Sequence, residues 1–182
     1  EKQGQPEGGI TLLHFDSHLD TWDSYFGEKN THGTPFKRAF EEGLLNPHTS
    51  MHVGIRGSSN SEEDALEDAK LGFKTLRCSE VETLGTEGIV RRIHQRVGRT
   101  PCYLSIDIDV VDPSAAPATG TPECGGFSPM QVLSIVRGLR GLRSVSIDQD
   151  LPIGPSQDAS EGLHPQCWGG RRRFGWRRSF GA

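Results

Sequence analysis

The chain has 182 residues, 33% of them hydrophobic, and a formal net charge of −4 at pH 7. That length is enough for one domain with a buried core, and the 23 glycines and 11 prolines indicate extensive loops and turns. The negative net charge offers no basic field to a nucleic acid, and no apolar run of the sequence approaches the roughly 20 residues that cross a bilayer. We therefore expect partners other than nucleic acid or membrane.

The opening segment, EKQGQPEGG, is polar and begins without Met. It does not have the pattern of a signal peptide and is typical of the interior of a longer protein, so we favour a cytoplasmic or mitochondrial location with any targeting region outside this chain. The cysteines form no CxxC pair and no Cys/His cluster, which favours buried free thiols in a reducing compartment over a disulfide framework or a zinc site. They are Cys78, Cys102, Cys124 and Cys167.

Apolar runs and capping residues predict strands and helices in alternation. They are, in chain order, a strand at residues 9–16, a helix at 34–43, a strand at 51–55, a helix at 61–72, a strand at 72–78, a helix at 86–98, a strand at 101–109, a helix at 128–139 and a strand at 143–148. Three of the helices have a recognisable start, namely Thr34 as N-cap, Ser61, and the capping box of Ser128 and Gln131.

This alternation favours an α/β fold in which a parallel sheet lies between helices on both faces. Ligands of such sheets bind outside the carboxyl ends of the strands. The composition changes after about residue 150, so we divide the chain into a domain at residues 1–150 and a tail at residues 151–182. The tail has five arginines and no acid after Glu161, and we expect it to be disordered and solvated. An RNA-binding arm that uses Trp168 and Trp176 is the disfavoured alternative.

Acidic residues and a histidine follow two of the predicted strands. The stretch HFDSHLDTW spaces Asp16, His18 and Asp20 at every second position behind an apolar run. The stretch SIDIDVVDP places Asp107 and Asp109 two residues apart, and we expect both side chains on one face of the strand. If the two strands are neighbours in a parallel sheet, all five side chains meet at the carboxyl ends.

Carboxylates in such a cluster repel one another, and several would take up protons unless a cation lay between them. Together with the imidazole they carry enough charge for two divalent ions, and the oxygen-rich set favours Mn²⁺ or Mg²⁺ over structural zinc. Taken alone, each motif is more typical of a turn or a cap. Their combination, each behind an apolar strand, makes a metal site the preferred interpretation.

Longer stretches of the sequence resemble a known family. HFDSHLDTW, THGTPF, HVGIRG and SIDIDVVDPSAAPATGTPECGG are similar to motifs of the ureohydrolases, which comprise arginases, agmatinases and their relatives. The resemblance runs from about residue 9 to about residue 142. It implies a three-layer α/β/α domain of the arginase type, here incomplete, with two Mn²⁺ ions at the strand ends. It also implies a small guanidino substrate and, for full-length relatives, homo-oligomers.

The resemblance implies a role for each candidate ligand. Asp16 and Asp107 would bridge the two ions. His18 and Asp109 would hold one ion, and Asp20 would help to hold the other.

Further site residues follow from the same resemblance. His32, in THGT, falls where the family keeps a histidine near the substrate as a proton shuttle. Without the family, a loop histidine that caps the helix at 34–43 would be the preferred interpretation. Thr121 and Glu123 lie in the family's Thr-Gly-Thr-Pro loop beside the metals, where we expect them to contact the substrate. Asp112 precedes a proline and is expected to form a turn.

Trp22 distinguishes between members of the family. Arginases place an Asn at this position, where it helps to bind the carboxylate of the amino acid, and an aromatic side chain cannot make that contact. The chain therefore resembles agmatinases, which convert agmatine and water to putrescine and urea. The resemblance implies that a metal-activated water attacks the guanidinium carbon and that the amine leaves with a proton passed through Asp109 or His32.

Two family segments are not recognised in the sequence. One is a Gly-Gly-Asp-His segment that supplies the first metal ligand. The other is a strand with a Glu that holds the guanidinium, and in its place the chain reads RSVSIDQDLPIGPS, where we assign no role to Asp148 or Asp150. A frameshift or a misjoined exon would account for this change, and we expect the chain alone to be a weak enzyme. A non-catalytic remnant of the family and, more distantly, a metal-dependent phosphoesterase are the alternatives.

Overall fold

Five parallel strands form the sheet of the computed structural model, which describes residues 8–57 and 62–149. The strands are β1 (Thr11–Phe15), β2 (Met51–Ile55), β3 (Lys74–Arg77), β4 (Cys102–Ile106) and β5 (Ser144–Gln149). Their order across the sheet is β3-β2-β1-β4-β5, and every neighbouring pair is parallel. The predicted parallel sheet is therefore confirmed, with β1 at its centre.

Helices alternate with these strands along the chain, as predicted. They are α1 (Pro35–Glu41), α2 (Glu62–Leu71), α3 (Glu80–Val97) and α4 (Pro129–Gly138), and a short 3-10 turn lies at Ile108–Val110. Within the part of the chain that the structure describes, no helix is both long and apolar enough to cross a membrane.

The two faces of β1 pack against different helices, because successive side chains of a strand point to opposite faces. Leu12 belongs to a cluster that includes Phe36 of α1. Leu13 belongs to a larger cluster that includes Ile89 of α3 and Ile135 of α4. Both leucines are 0% exposed, and burial of such a side chain contributes about 1.5–3 kcal/mol. The helices thus cover both faces of the sheet, which confirms the three-layer α/β/α architecture.

Strand β4 is shorter than the strand predicted at residues 101–109. It ends at Ile106, and the chain then enters the 3-10 turn at Ile108–Val110. The prediction that Asp107 and Asp109 share one face of a strand is therefore wrong. The physical reason is the Asp107 carboxylate, which accepts a hydrogen bond from the backbone N–H of Asp109 at 2.8 Å and caps the turn.

Two of the predicted helix starts can be compared with the structure. The capping box is confirmed, because the N–H of Gln131 donates to Oγ of Ser128 at 3.2 Å and the N–H of Ser128 donates to Oε1 of Gln131 at 2.7 Å. Thr34 does precede α1, but its hydroxyl donates to the carbonyl of Lys29 in the preceding loop and does not cap the helix. Ser61 lies outside the described residues.

Helix α3 begins six residues earlier than predicted, at Glu80 instead of residue 86. Gly85 has φ 61° and ψ 171°, so a short first turn and the long helix meet at a kink. The spacing of apolar residues predicted the part of α3 that follows the kink, where Ile89, Ile93 and Val97 are buried. It did not predict the first turn, whose Val81 and Leu84 are only partly buried against the same core.

The cysteine prediction is confirmed in part. Cys78 and Cys102 are buried free thiols, whereas Cys124 is a free thiol that is exposed. The prediction of burial is wrong for Cys124 because it lies on a loop between β4 and α4. Cys167 and the whole predicted tail at residues 151–182 lie outside the described residues.

Gly54 allows the chain segments behind β1 and β4 to approach β2 closely. Its φ is +103°, and the pairing of β2 with β3 is irregular between Val53 and Ile55. A Cβ atom at Gly54 would lie 2.5 Å from Cγ2 of Val110 and 3.1 Å from the carbonyl oxygen of Asp16. Glycine therefore meets both a conformational and a steric requirement here.

We expect Gly54→Ala to lower the free energy of unfolding by about 2–4 kcal/mol, because it adds backbone strain to overpacking. Urea-induced unfolding followed by circular dichroism measures this change. Gly120→Ala is the control, since a Cβ atom there would meet nothing within 4 Å, and its effect should stay within about 1 kcal/mol. Equal effects of the two substitutions would contradict the steric argument.

Candidate metal centre

The candidate site lies at the carboxyl ends of β1 and β4, which are neighbours in the sheet. Backbone hydrogen bonds continue beyond the strand ends. The N–H of Asp107 donates to the carbonyl of Phe15 at 2.8 Å, and the N–H of Asp16 donates to the carbonyl of Val53 at 3.1 Å. The predicted adjacency of the two motif-bearing strands is confirmed, and the polar residues behind them share one edge of the sheet.

Asp16, His18 and Asp109 form one group of potential ligands, in which one donor atom of each residue lies within 4.8 Å of the others. Nδ1 of His18 is 3.0 Å from Oδ2 of Asp109 and 3.3 Å from Oδ1 of Asp16. Both carboxylates are buried, and backbone N–H groups orient them: that of Ser17 donates to Asp109 at 3.0 Å and that of His18 to Asp16 at 2.6 Å. The group offers one imidazole and two fixed carboxylates to a cation.

His14, Asp16 and Asp20 form a second group, whose donor atoms also lie within 4.8 Å of one another. His14, which the sequence offers only as a candidate replacement ligand, stands two residues before Asp16, and strand alternation places it on the same face. Nε2 of His14 lies 2.9 Å from Oδ2 of Asp16, and its Nδ1 lies 3.0 Å from Nδ1 of His52. Since both ring nitrogens are engaged, His14 is placed to orient Asp16.

Asp107 and Asp20 differ in how the structure places them. The Asp107 carboxylate caps the 3-10 turn, and among the described residues neither ligand group includes it. Its bridging role stays a prediction. Asp20 belongs to the second group and has φ 57°, a backbone conformation that residues other than glycine rarely adopt. Such strain is common where a side chain must be held in a functional position.

The acidic groups influence one another's proton affinity. Loss of solvent raises the pKa of Asp20 well above its ordinary value, and the charges of Asp16 and Asp107 add to the rise. Burial also opposes ionisation of Asp16, but the charge of His14 and its hydrogen bond hold the pKa of Asp16 below its ordinary value. Although burial favours a neutral ring, hydrogen bonds to the neighbouring carboxylates raise the pKa of His18 to about 10. Protons thus offset the excess negative charge, and a cation could take their place.

Arg56 joins the segments of the site through hydrogen bonds to backbone carbonyls. Its Nη2 donates to the carbonyls of Asp109 at 2.6 Å and of Glu123 at 2.7 Å, and its Nη1 donates to that of Gly54 at 3.3 Å. One side chain therefore connects the end of β2, the 3-10 turn and the loop behind it. Apart from the presence of Arg56 in HVGIRG, no sequence pattern indicates this role.

Thr121 and Glu123 lie beside the first ligand group. The hydroxyl of Thr121 donates to Oδ2 of Asp109 at 3.1 Å, and Oε1 of Glu123 is 3.6 Å from Nε2 of His18. The loop that carries both residues therefore reaches the carboxylates and the imidazole. Their contacts with a substrate stay predictions.

Asp112 forms the predicted turn and closes the loop that carries Thr121 and Glu123. Its carboxylate accepts hydrogen bonds from the N–H groups of Ser114 at 3.0 Å, Gly125 at 2.9 Å and Gly126 at 3.1 Å. The bonds with Ser114, followed by those with the two glycines, lower the pKa of Asp112 from 3.8 to about 2. One ionised side chain thus holds both ends of the loop.

Trp22 and His32 lie on the loop between β1 and α1. The N–H of Trp22 donates to the carbonyl of Gly33 at 3.1 Å, which closes this loop. The ring of Trp22 stacks on that of Tyr25 with centroids 5.2 Å apart, and Tyr25 meets His32 edge-on at 5.3 Å. His32 is in neither ligand group of the described residues. The predicted roles of Trp22 and His32 toward the substrate remain untested.

Comparisons with known proteins place these features in a wider group. A family model described as "Arginase family" matches residues 3–160. The chain is 44% identical over 164 residues to putative agmatinase 3 of Schizosaccharomyces pombe, which covers 87% of this chain and 39% of that protein. It is 46% identical over 143 residues to guanidinopropionase of Pseudomonas aeruginosa, which covers 78% of this chain and 45% of that protein.

A solved structure is also similar to this chain. Proclavaminate amidino hydrolase from Streptomyces clavuligerus superposes with a TM-score of 0.75 and 35% identity, over 84% of this chain and 50% of that one. The chain spans about half of the length of this protein, and less than half of the two relatives named above.

The depressed pKa of Asp112 predicts a pH-dependent contribution to stability. We expect Asp112→Asn to be less stable than the unmodified chain at pH 7, because the amide loses the charge that strengthens the three hydrogen bonds. The contribution is present above the unfolded pKa of 3.8 and is lost as the pH falls through about 2. Urea unfolding at several pH values should therefore show a difference that shrinks below pH 3.8.

Glu42→Gln serves as the control because Glu42 is an exposed acid outside the loop. A stability difference for Asp112→Asn that did not change with pH would show that the carboxylate charge is not what holds the loop.

Proposed function

Because the chain belongs to the arginase family, we propose that it hydrolyses a guanidino compound with the help of two Mn²⁺ ions, and that it converts agmatine and water to putrescine and urea. The observation that carries the proposal is that two groups of potential ligands share Asp16 at the ends of adjacent parallel strands. The chain spans less than half of the two relatives named above, so the activity of the whole protein is part of the proposal.

The donor set fits manganese. Asp16, His18 and Asp109 would hold one ion, while Asp16 and Asp20 would contribute oxygen atoms to a second. Asp107 lies near enough to affect the pKa of Asp20, after the larger effects of desolvation and Asp16, and it would add a further oxygen. Carboxylates with an imidazole suit Mn²⁺, and two cations would neutralise the negative charge that these side chains concentrate.

In the proposed reaction, the metal ions and the side chains of the protein have different roles. When bound, the ions supply an acidic water and polarise the substrate. Asp109 is placed to accept a proton at Oδ2, where it already accepts the hydrogen bond of Thr121 at 3.1 Å. Asp109 or His32 would then pass a proton to the leaving amine. The carboxylate of Glu123, beside His18, adds negative charge that attracts a cationic guanidinium.

The identity of the substrate rests on Trp22. Its indole offers no hydrogen-bonding group suited to an α-carboxylate beyond one N–H donor, which favours agmatine over arginine. The similarity to guanidinopropionase supports a guanidino acid as the second candidate. A non-catalytic family member is the third candidate, and the urea assay below separates it from the other two. We place the protein in the cytoplasm or the mitochondrion, with this small molecule as its partner.

The substitution Asp107→Asn distinguishes between two roles of Asp107, that of a metal ligand and that of a cap of the 3-10 turn. The amide oxygen can still accept the N–H of Asp109, but the negative charge is gone. If Asp107 bridges the ions, we expect Mn²⁺ affinity to fall by at least about tenfold in a variant that thermal unfolding shows to be folded. The signal of free Mn²⁺ in electron paramagnetic resonance measures the affinity.

Two further variants serve as the positive and the negative control for the Mn²⁺ affinity measurement. Asp16→Asn, which removes the carboxylate shared by both groups, should abolish tight binding. Asp23→Asn alters an acid whose side chain is 58% exposed and pairs with Arg38, and it should leave affinity unchanged. Mn²⁺ affinity that stays at the unmodified level in Asp107→Asn would limit Asp107 to its role in the turn.

The substrate is tested by urea release in the presence of Mn²⁺ from agmatine, arginine and 3-guanidinopropionate. We expect kcat/KM for agmatine to exceed that for arginine by at least about tenfold, because Trp22 leaves the carboxylate of arginine without a partner. Trp22→Asn should narrow this ratio. Preference for 3-guanidinopropionate would move the assignment to guanidino acids, and no urea from any compound despite bound Mn²⁺ would favour the non-catalytic alternative.

A further inference from the structure

Two buried histidines lie side by side on the face of the sheet that carries Asp16. His14 of β1 and His52 of β2 are paired in register, and their Nδ1 atoms are 3.0 Å apart. His14 is 1% exposed and His52 is 0% exposed. At this distance and orientation the two rings share one hydrogen bond.

The histidine pair connects two buried carboxylates. Nε2 of His14 lies 2.9 Å from Oδ2 of Asp16, and Nε2 of His52 lies 3.2 Å from Oδ1 of Asp68. Since a carboxylate accepts, each Nε2–H donates outward from the pair, and the hydrogen bond between the Nδ1 atoms requires that one of the two rings carry a second proton. The result is a continuous chain of hydrogen bonds from α2 to the ligand shared by both candidate metal groups. We call these four residues the Asp68 relay.

The surroundings of the relay are apolar. The ring of His14 meets Phe36 with centroids 4.5 Å apart, and the ring of His52 meets Phe73 at 5.3 Å. A polar group in such a place is costly unless its hydrogen bonds are made, so every link of the relay depends on the next. This dependence fixes the orientation of both imidazole rings.

Asp68 differs in burial from the charged residues next to it on α2. It is 2% exposed, whereas Glu67 and Lys70 beside it are exposed. Its carboxylate also accepts a hydrogen bond from the hydroxyl of Thr21 at 2.8 Å. Thr21 follows Asp20 directly, so Asp68 contacts both His52 and the turn that carries the other carboxylate of the second ligand group.

We propose that Asp68 is a positioning residue of the metal centre, which acts through His52 and His14 on the carboxylate of Asp16 and through Thr21 on the turn at Asp20. The inference rests on the proposed function, since it assigns to Asp68 an effect on metal binding. Partners beyond the ligands orient metal sites in general, and their loss costs about 10–100-fold in affinity. The two histidines between Asp68 and Asp16 place the expected loss at the lower end of that range.

The test uses substitutions of Asp68 and its partner in the full chain. Asp68→Leu removes the acceptor, Asp68→Asn keeps an oxygen acceptor without the charge, and Thr21→Val removes the second hydrogen bond. Glu67→Gln is the matched control on the same helix. Thermal unfolding identifies variants that fold, and if Asp68→Leu does not fold, Asp68→Asn and Thr21→Val decide.

The first measurement needs no metal. In ¹⁵N-histidine-labelled protein, we expect the imidazole nitrogen resonances of both His52 and His14 to shift in Asp68→Asn and Asp68→Leu, and to stay in place in Glu67→Gln. A purely local role of Asp68 would move His52 alone. Unchanged His14 resonances would overturn the proposal.

The second measurement is the Mn²⁺ dissociation constant. We expect it to rise about tenfold in Asp68→Leu, less in Asp68→Asn and Thr21→Val, and not in Glu67→Gln. Native Mn²⁺ affinity in a folded Asp68→Leu protein would overturn the proposal. If the unmodified chain bound no Mn²⁺, the proposed function would fail, and the nitrogen resonances alone would decide whether Asp68 orients the histidine pair.

Discussion

The packing of carboxylates at the ends of two parallel strands is the constraint on which the rest of the site depends. Asp16 and Asp109 are buried close to Asp20, and such groups repel one another unless partners compensate their charge. The fold supplies these partners. His14 holds one oxygen of Asp16, and Thr121 holds one oxygen of Asp109. Much of the surrounding structure can be understood as a frame that keeps like charges near one another at a place where a cation can neutralise them.

This frame is built largely from the backbone. Arg56 binds carbonyl groups at the end of β2, within the 3-10 turn and on the loop behind it. Asp112 closes that loop through three backbone N–H groups, and Gly54 lets the segments meet without a side chain between them. Because main-chain atoms are fixed by the strands they continue, the loop has a defined position relative to the carboxylates and does not rely on flexible surface contacts.

The sequence was sufficient for features that depend on local patterns and insufficient for those that depend on register. Apolar runs and caps predicted the strands and helices, and the spacing of Asp16 and His18 predicted that a polar cluster follows β1. The turn at Asp107 was missed because a side chain, and not the apolar pattern, ends the strand. The contact of His52 with Asp68 joins a strand to a helix across 16 residues, and no local pattern indicates which helical residue faces the sheet.

The loop between β1 and α1 is fastened at its base and open at its tip. The N–H of Phe36 donates to the carbonyl of Asp20 at 3.2 Å, and the N–H of Trp22 donates to that of Gly33 at 3.1 Å. At the tip, Phe26 is 88% exposed. Side chains at the tip can therefore change without moving the carboxylate of Asp16, which directly follows β1.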